Sequence, residues 1–443
     1  MKKVLLLNPP VPGKFHRDYY CSHSIKGDFL WQPLDLQIIS GFLKNKFKIK
    51  IIDSVYYNYS FLKVIEKINN FSPDVIISQI GSACINNDMK FLAEVKNKFK
   101  VRIAVTGDIC RAERKKFLLK YPFIDAVIYN ICKNDIEDWI IDWTNKKLIN
   151  IITLESENIE EIENDFSLPM PDFNYFIKKK YKLPVAKHTE IYTLISNFGC
   201  PFKCKFCHFE NIPCATRNID NLENELKILA SLGVKELHFR DQTFGYDRNH
   251  VNQLIKVLAK YDFNYIFYTR ADCMNYQILK KLKKTGADTI EIGVESGVYE
   301  IRKKYGKDIE DKKYVDFFKN CKKLKIKTLA FFIIGFPDEN ISDIIKTWKF
   351  IKKLSPDFLS INIFVPKQGT TFERNECDEI ELDPTMGCGS VKLRIIRTVM
   401  AFSYYFSPFY IAYRLRRIES LKEFTDHVKN AVFFVKSHIN FKK

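Results

Sequence analysis

Residues 197–208 read Asn-Phe-Gly-Cys-Pro-Phe-Lys-Cys-Lys-Phe-Cys-His and hold Cys200, Cys204 and Cys207 in C-x3-C-x2-C spacing. Three thiolates this close together can bind three corners of an iron–sulfur cubane within one loop. A ferredoxin-type cluster takes four thiolates, so a fourth iron would stay open to an exogenous ligand. Zinc and unligated thiols are the alternatives, and zinc would need a fourth ligand, for which Cys214 is a candidate.

The cysteine loop follows the first of six strand patterns in the second part of the chain. Apolar runs occur at Ile191–Ser196, Glu236–Phe239, Tyr265–Tyr268, Thr289–Gly293, Thr328–Ile334 and Phe358–Phe364. Helical patterns separate them at Leu222–Leu232, Val251–Tyr261, Tyr276–Thr285, Lys312–Lys323 and Ile341–Leu354. Six βα units predict a partial (βα)6 barrel of the TIM type over residues 188–375, with its active site at the carboxyl ends of the strands. The cysteine loop is therefore expected at the mouth of the barrel.

Residues 1–145 also alternate strands and helices. Strand patterns occur at Lys3–Leu7, Ile49–Ile52, Asp74–Ile80, Val101–Thr106 and Asp125–Tyr129, with helical patterns at Leu34–Phe47, Phe61–Asn69, Asp88–Phe99 and Glu113–Lys120. This order predicts a doubly wound, Rossmann-like open sheet, which binds ligands beyond the carboxyl ends of its strands. No G-x-G-x-x-G follows a strand, so a dinucleotide site is not indicated.

The remaining segments are irregular or helical. Residues 146–187 are predicted to be a linker, because Leu168-Pro-Met-Pro-Asp172 breaks regular structure. Residues 376–443 are predicted to be a helical, basic and aromatic C-terminal region. Within it, Val399–Tyr413 is nearly all apolar or aromatic and too short to span a bilayer. This stretch predicts either packing on the barrel or a peripheral contact with a membrane surface.

The bulk composition fits a folded intracellular protein. The chain has 443 residues, 46% of them apolar, and 12 cysteines, too sparse for a secreted disulfide scaffold. The N-terminus lacks the long apolar core of a signal peptide, so we expect a cytoplasmic protein. The net charge of +18 fits a lysine-rich solvated surface, and also attraction to nucleic acid or to anionic membrane.

The loop Gly199-Cys-Pro-Phe-Lys-Cys-Lys-Phe-Cys207 closely resembles the signature of the radical S-adenosylmethionine (SAM) superfamily. This resemblance covers about residues 190–375. It implies that the three cysteines bind a [4Fe–4S] cluster and that SAM chelates the fourth iron. Reductive cleavage of SAM would then give a 5′-deoxyadenosyl radical that abstracts a hydrogen atom.

Other strand ends resemble the segments with which this family binds SAM. Asp241 is expected beside the methionine part of SAM, although an Asp at this position serves equally well as a helix cap. Arg270 is expected near the SAM carboxylate, and Glu295, in a G-x-E-S-G motif, at the ribose hydroxyls. The backbone of Gly335 and the ring of Phe206 are expected along the adenine, while Phe206 fits an ordinary core position equally well.

The N-terminal unit resembles the cobalamin-binding domain that precedes many radical SAM barrels. The resemblance lies in Leu6-Leu-Asn-Pro-Pro10, Trp31-Gln-Pro-Leu-Asp-Leu36, Ile51-Ile-Asp53 and Pro73-Asp-Val-Ile-Ile77. It implies cobalamin contacts from Asn8, Ser82 and Gly107. The cobalt-ligating D-x-H-x-x-G is absent, and the usual Gly-Gly after the fourth strand reads Gly107-Asp108. Either cobalamin binds without a histidine from the protein, or the domain is degenerate and structural.

Together these resemblances imply a radical SAM enzyme that methylates an unactivated carbon with the help of cobalamin. The first alternative is cyclisation, rearrangement or oxidation without methyl transfer. The second is a tRNA or protein methylthiotransferase, whose N-terminal domain carries its own cysteine-ligated cluster. The N-terminal cysteines of this chain lack the sequence motifs that surround the cluster ligands in that family; they are Cys21, Cys84, Cys110 and Cys132. The third is a zinc-bound scaffold protein.

The same resemblances imply the partners of the enzyme. A small-molecule or lipid-like substrate is expected, together with a reducing protein such as flavodoxin or ferredoxin. No recognisable nucleic-acid module follows residue 375, so no nucleic-acid partner is expected.

Overall fold

The computed structural model describes residues 1–25, 29–145, 148–156, 159, 164–188, 190–207, 214–366, 370, 391–416 and 425. His208, parts of the predicted linker and much of the predicted C-terminal region lie outside these residues. The region boundaries predicted at 145, 187 and 375 stay a prediction.

The strands, in chain order, are β1 (Lys3–Asn8), β2 (Phe15–Arg17), β3 (Ser22–Ser24), β4 (Lys48–Asp53), β5 (Val75–Gln79), β6 (Arg102–Thr106), β7 (Ala126–Ile128), β8 (Ile151–Ile152), β9 (Asp165–Phe166), β10 (Tyr192–Leu194), β11 (Asn197–Phe198), β12 (Ala215–Arg217), β13 (Glu236–Phe239), β14 (Asn264–Thr269), β15 (Ala287–Glu295), β16 (Lys327–Ile334) and β17 (Phe358–Ile363).

The helices, in chain order, are α1 (Leu34–Leu43), α2 (Ser54–Tyr57), α3 (Phe61–Phe71), α4 (Ile85–Lys98), α5 (Asp108–Glu113), α6 (Lys115–Lys120), α7 (Asp135–Ile141), α8 (Phe173–Ile177), α9 (Ile219–Ser231), α10 (Arg248–Leu258), α11 (Tyr276–Lys284), α12 (Tyr299–Lys304), α13 (Asp311–Lys323), α14 (Ile341–Leu354), α15 (Val391–Tyr405) and α16 (Pro408–Leu415).

The N-terminal sheet has the order β4-β1-β5-β6-β7, all parallel, and β8 extends it antiparallel to β7. Within β1, Val4 and Leu6 pack into the core on one face, and Leu5 and Leu7 pack into a second core on the other. Because both faces are covered, the strand is a continuous apolar run rather than an alternating one. The predicted doubly wound sheet is confirmed, while β8 lies inside the range predicted to be a linker.

An antiparallel hairpin of β2 and β3 lies between β1 and α1 and was not predicted. It folds over the carboxyl ends of the N-terminal strands, where the Ser22 backbone N–H and hydroxyl both donate to Asp108 Oδ2 at 3.1 Å. The sequence signal was weak because each strand of the hairpin has only three residues. The hairpin therefore occupies the edge at which such sheets bind ligands.

The second sheet has the order β10-β13-β14-β15-β16-β17, and each neighbouring pair is parallel. Helices α9, α10, α11, α13 and α14 connect successive strands. This arrangement confirms the predicted partial barrel. Its open edges are β10 and β17.

The N-terminal unit covers the free edge of β10 through two buried glutamines. Gln32 donates to the carbonyl of Ile191 (2.7 Å) and accepts from the backbone N–H of Thr193 (3.1 Å), and Gln37 donates to the carbonyl of Thr193 (2.8 Å). An edge strand exposes a row of backbone donors and acceptors that must find partners. Side chains of the first unit supply those partners here.

The first C-terminal helices lie on the other edge of the barrel. Tyr404 donates to the carbonyl of Pro356, Tyr405 to that of Leu359 (2.7 Å), and Tyr410 to that of Asp357 (2.8 Å). This part of the predicted aromatic stretch therefore packs on the barrel. No helix in the described ranges is long and apolar enough to cross a lipid bilayer.

Candidate active site

The cysteine loop leaves the barrel directly after β10 and β11. Its three cysteines form no disulfide; Cys204 is buried, whereas Cys200 and Cys207 are half-buried. The backbone N–H of Cys207 donates to the carbonyl of Cys204 (2.9 Å), which closes a turn. The Sγ of Cys200 lies 3.4 Å from Oγ1 of Thr243, in the loop that follows β13. The loop thus lies at the carboxyl-end mouth of the barrel, as predicted from its position in the sequence.

Asp241 fixes the backbone that leads into this loop. Its carboxylate accepts hydrogen bonds from the N–H of Ser196 (2.7 Å), the hydroxyl of Ser196 and the N–H of Asn197 (3.1 Å). Burial raises the pKa of this carboxyl to about 6. Asp241 is therefore a positioning residue for the loop, and the predicted contact with SAM stays a prediction.

Arg270 extends from the end of β14 toward the cysteine loop. Its Nη1 donates to the Sγ of Cys204 (3.6 Å), and its Nε and Nη2 donate to Asp272 at 3.0 and 2.8 Å. The guanidinium also stacks over the ring of Phe202, 3.6 Å from its centroid. Held by these contacts, Arg270 places a positive charge next to a predicted cluster ligand.

Glu295 ends β15 in a left-handed backbone conformation, with φ of 68°. Its Oε1 accepts a hydrogen bond from Nζ of Lys307 (2.7 Å) in a buried ion pair. A Cβ on Gly293 would lie 2.3–2.6 Å from Glu295 Oε1, the Tyr268 hydroxyl and Lys307 Nζ, so these groups can converge only around a glycine. The second oxygen of Glu295 accepts no hydrogen bond from the described residues, which leaves it for a ligand hydroxyl.

Gly335 and Phe206, predicted to lie along the adenine, meet the same aromatic cluster. Gly335 has φ of 82°, which favours glycine, and its N–H donates to the Glu339 carboxylate. The Phe206 ring packs edge-on against that of Phe336, with centroids 6.0 Å apart. The structure brings both residues to one end of the mouth, while the adenine contact stays a prediction.

The donor set of the loop fits a cubane cluster with one open iron. It offers three thiols; burial raises the pKa of the Cys204 thiol, and the positive charges of Lys307 and Arg270 oppose that rise. Cys214, the candidate fourth ligand for zinc, hydrogen bonds with Tyr246 instead. Among the residues that the structure describes, no three His, Cys, Asp or Glu side chains surround one point as the ligands of a single ion would.

The predicted cobalamin residues are brought together but are bonded within the protein. Asn8 donates to Asp53 (2.9 Å) and accepts from Arg17 (2.8 Å), and the Ser82 hydroxyl donates to Asp108 (2.7 Å). The fold itself requires glycine at position 107, where φ is 144°. A Cβ at this position would clash with the carbonyl oxygen of Ile80, at 2.0 Å. These three residues are thus bonded or packed within the first unit, and their contact with cobalamin stays a prediction.

Comparison with known proteins assigns the second unit. Residues 194–351 match the family model described as the radical SAM superfamily. Residues 194–351 form a radical SAM domain. Members of this superfamily are enzymes that use a [4Fe–4S] cluster and SAM and take electrons from a reductant, so the zinc-bound scaffold alternative is not supported.

Two methyltransferases are similar to this radical SAM protein over most of its length. An uncharacterised methyltransferase of Pyrococcus horikoshii is 26% identical over 83% of the chain and 82% of that protein. The cytidylyl-2-hydroxyethylphosphonate methyltransferase of Streptomyces wedmorensis is 23% identical over 76% of the chain and 73% of that protein. A tRNA-2-methylthio-N(6)-dimethylallyladenosine synthase of Pelagibacter ubique is 27% identical over a smaller share, 62% of each chain.

Solved structures of radical SAM enzymes share the fold. The cobalamin-dependent enzyme OxsB, with aqua-cobalamin and SAM bound, superposes on 99% of the chain with a TM-score of 0.72 and 15% identity, covering 72% of OxsB. The methyltransferase TsrM from Kitasatospora setae superposes on 82% of the chain with a TM-score of 0.65 and 13% identity, covering 73% of TsrM. At these identities the likeness shows the fold alone, which includes both units.

Sequence reasoning missed several residues of this radical SAM protein. Lys307 follows Glu295 by twelve positions and belongs to no motif, although a buried lysine needs a carboxylate partner. Tyr268 and Glu291 lie inside strand patterns, where a polar residue was taken as part of the strand. The alternation of these polar residues with Phe267 and Ile290 was the signal that could have found them.

Proposed function

We propose that this radical SAM enzyme is a methyltransferase that acts on an unactivated carbon of a small organic molecule. The relatives named methyltransferases support this proposal, because they match both units and not the barrel alone. The observation that carries it in the structure is the three-thiol loop, set at the mouth of the barrel beside Arg270 and the Glu295–Lys307 pair.

Each residue of the mouth has a task in this proposal. Cys200, Cys204 and Cys207 would hold three irons of the cluster, and the bound cluster and SAM would supply the 5′-deoxyadenosyl radical. Asp241 holds the backbone in front of the loop. Arg270 neutralises negative charge beside Cys204. The second carboxylate oxygen of Glu295 would accept a hydrogen bond from a ribose hydroxyl of SAM. The surrounding barrel would keep water away from the radical.

We infer that cobalamin is the methyl carrier, because OxsB and TsrM, which share this fold, both bind cobalamin. The residues at the N-terminal edge give it less support, since the hairpin of β2 and β3 already satisfies Asp108, and Arg17 and Asp53 satisfy Asn8. If hydroxocobalamin does not co-elute with the protein in anaerobic gel filtration at micromolar concentration, cyclisation, rearrangement or oxidation without methyl transfer becomes the leading function.

The methylthiotransferase alternative needs a second cluster in the N-terminal unit. There Cys84 donates to Asp88 (3.3 Å) and Cys110 to the carbonyl of Gly107 (3.5 Å), and burial raises the pKa of both thiols. These internal bonds give a second cluster less support, and we therefore place the methylthiotransferase behind the methyltransferase.

A peripheral membrane contact is the second half of the proposal. Exposed apolar residues follow one another along α15 and α16, at Val391, Ile395, Val399, Phe406, Phe409 and Leu415. Exposed Lys392 and Arg416 flank this stripe, and a basic side chain near anionic lipid contributes about 1 kcal/mol. Flotation with anionic and with neutral liposomes tests the contact. Salt-sensitive binding to the anionic set supports it, and no binding at low salt contradicts it.

The function itself is tested with anaerobically reconstituted enzyme, a chemical reductant and SAM that carries a deuterated methyl group. Formation of 5′-deoxyadenosine shows the radical step. A product that gains the deuterated methyl group, found by mass spectrometry, shows methyl transfer. Substrate-dependent 5′-deoxyadenosine without a methylated product would contradict the methyltransferase and leave the radical SAM enzyme standing.

A further inference from the structure

The barrel encloses an interior space lined by half-buried side chains. Along β16 and β17, Leu329, Phe331, Ile333, Ser360 and Asn362 are half-buried, whereas the residues between them are buried against the helices. Strands packed tightly on both faces would show no such alternation. The half-buried set therefore faces an accessible space inside the barrel, here called the lumen.

Strand register places Tyr268, Glu291 and Leu329 side by side in the lumen wall. Tyr268 pairs with Glu291 across β14 and β15, and Glu291 pairs with Leu329 across β15 and β16. Neighbours at one level of a sheet point to the same face, and the next level on that face carries Gly293 and Phe331. Polar groups and an apolar wall thus meet in one layer.

Glu291 is a buried carboxylate without a bonding partner. Its residue is 8% exposed, and none of the described residues gives it a hydrogen bond or an ion pair. Arg240 is the cation whose charge acts on it, but that guanidinium already donates to Asp18 Oδ2 (3.2 Å) and Cys21 Sγ (3.4 Å). Burial raises the pKa of this carboxyl, and in its ionised form it costs several kcal/mol unless a cation or a hydrogen-bond donor reaches it.

Two more polar groups face the same space. The Tyr268 hydroxyl has no hydrogen bond to the part of the chain that the structure describes, and it lies near Glu295, on the SAM side of the lumen. The buried Nδ1 of His238 is also without a partner there. The His238 ring lies 5.5 Å from that of Trp31, a residue of the N-terminal unit. The Tyr268 hydroxyl therefore places the lumen beside the predicted SAM site, and the His238 ring joins the barrel wall to the first unit.

We propose that Glu291 and Tyr268 bind a primary amine of the substrate, with its carbon body against Leu329 and Phe331. This inference rests on the proposed function and names the substrate class: an amine on an apolar or aromatic skeleton. An ammonium group supplies both the charge that Glu291 lacks and a donor for the Tyr268 oxygen. An anionic substrate would instead place a second negative charge beside an unpaired carboxylate.

Three probes that share a phenyl ring test the charge preference: phenethylamine, 2-phenylethanol and 3-phenylpropionate. Their binding to the reconstituted, SAM-loaded enzyme is measured by equilibrium dialysis. We expect phenethylamine to bind at least about 10-fold more tightly than the other two, as one charge-assisted hydrogen bond provides. Glu291→Gln should remove this preference, and Tyr268→Phe should reduce it. The exposed Glu300→Gln, on α12, is the matched control and should keep it.

Equal binding of the three probes, stronger binding of the acid, or a preference that survives in Glu291→Gln would each overturn the inference. Circular dichroism and thermal melting of each variant show whether it is folded, and Tyr268→Phe keeps the test open if Glu291→Gln is not. Dialysis needs no turnover, whereas the proposed function is judged by SAM cleavage in the unmodified enzyme. The amine-binding inference and the proposed function can therefore be contradicted independently.

Discussion

Arg17 and Asp88 form a bidentate ion pair in which both side chains are fully buried, with Nε–Oδ2 and Nη2–Oδ1 distances of 2.9 and 2.6 Å. Arg17 belongs to the hairpin strand β2 and Asp88 to α4, so the pair attaches the hairpin to the helix that follows β5. Such a pair stabilises a fold only while both partners are present.

Removing one partner of the Arg17–Asp88 pair should therefore destabilise the fold strongly. We expect Asp88→Ala to lower the free energy of unfolding by about 3–5 kcal/mol, because it leaves a buried guanidinium unpaired. Urea denaturation followed by circular dichroism measures this change. Glu66→Ala is the control, since its pair with Lys63 is exposed and such pairs contribute little to stability. Equal losses in the two variants would contradict the assigned role of the buried pair.

Each cysteine of the loop should be required for the cluster. Cys200→Ala, Cys204→Ala and Cys207→Ala should each lose the iron–sulfur absorbance and the reductive cleavage of SAM to 5′-deoxyadenosine. Cys321→Ala, on α13 and away from the mouth, should keep both. Iron and sulfide analysis with product chromatography gives the answer, and full cleavage by Cys204→Ala would refute the ligand set.

Glu295→Gln should weaken SAM binding and preserve the cluster. Loss of one hydrogen bond to an ionised group costs about 1.5–3 kcal/mol, or roughly 10-fold to 150-fold in affinity. Equilibrium dialysis of SAM measures this change, with Asp316→Asn on the exposed side of α13 as control. The variant also leaves Lys307 without its carboxylate, so its melting temperature should fall. Unchanged SAM affinity would remove Glu295 from the site.

Stability should depend on pH through Glu236. Burial raises the pKa of this carboxyl to about 8 from an ordinary value of 4.5, while its Oε2 accepts from the N–H of His188 (3.0 Å). Between these two values the folded state binds more protons than the unfolded state, so stability falls as the pH rises from 5 to 8. Urea midpoints across this range should fall less in Glu236→Gln than in the unmodified enzyme. Parallel curves would show that Glu236 ionises normally.

The sequence was sufficient for the features that rest on local pattern. The helix at Ile341–Leu354 was predicted to the residue, since Asn340 and Asp343 form a capping box and an αL residue follows at Ser355. The long parallel strands were predicted because burial on both faces requires continuous apolar runs. The position of the cysteine loop followed from the strand that precedes it.

The features that were missed depend on long-range pairing. The partners Lys307 and Glu295, Arg17 and Asp88, and Gln32 and Thr193 are far apart in sequence, so no local pattern joins them. Asp241 looks like a helix cap or a ligand contact in the sequence, and only the fold shows that its oxygens receive the N–H groups of residues 196 and 197.

Gln32 and Gln37 give the N-terminal unit a structural role that requires no cofactor, which is to pair the free edge of β10. A barrel produced without it would present the bare backbone of Ile191 and Thr193 to other molecules, and bare strand edges recruit further strands into aggregates. Evolution could then erase a ligand site from the first unit, but could not delete the unit itself. Covering β10 is therefore a reason to retain the first unit that does not depend on any ligand.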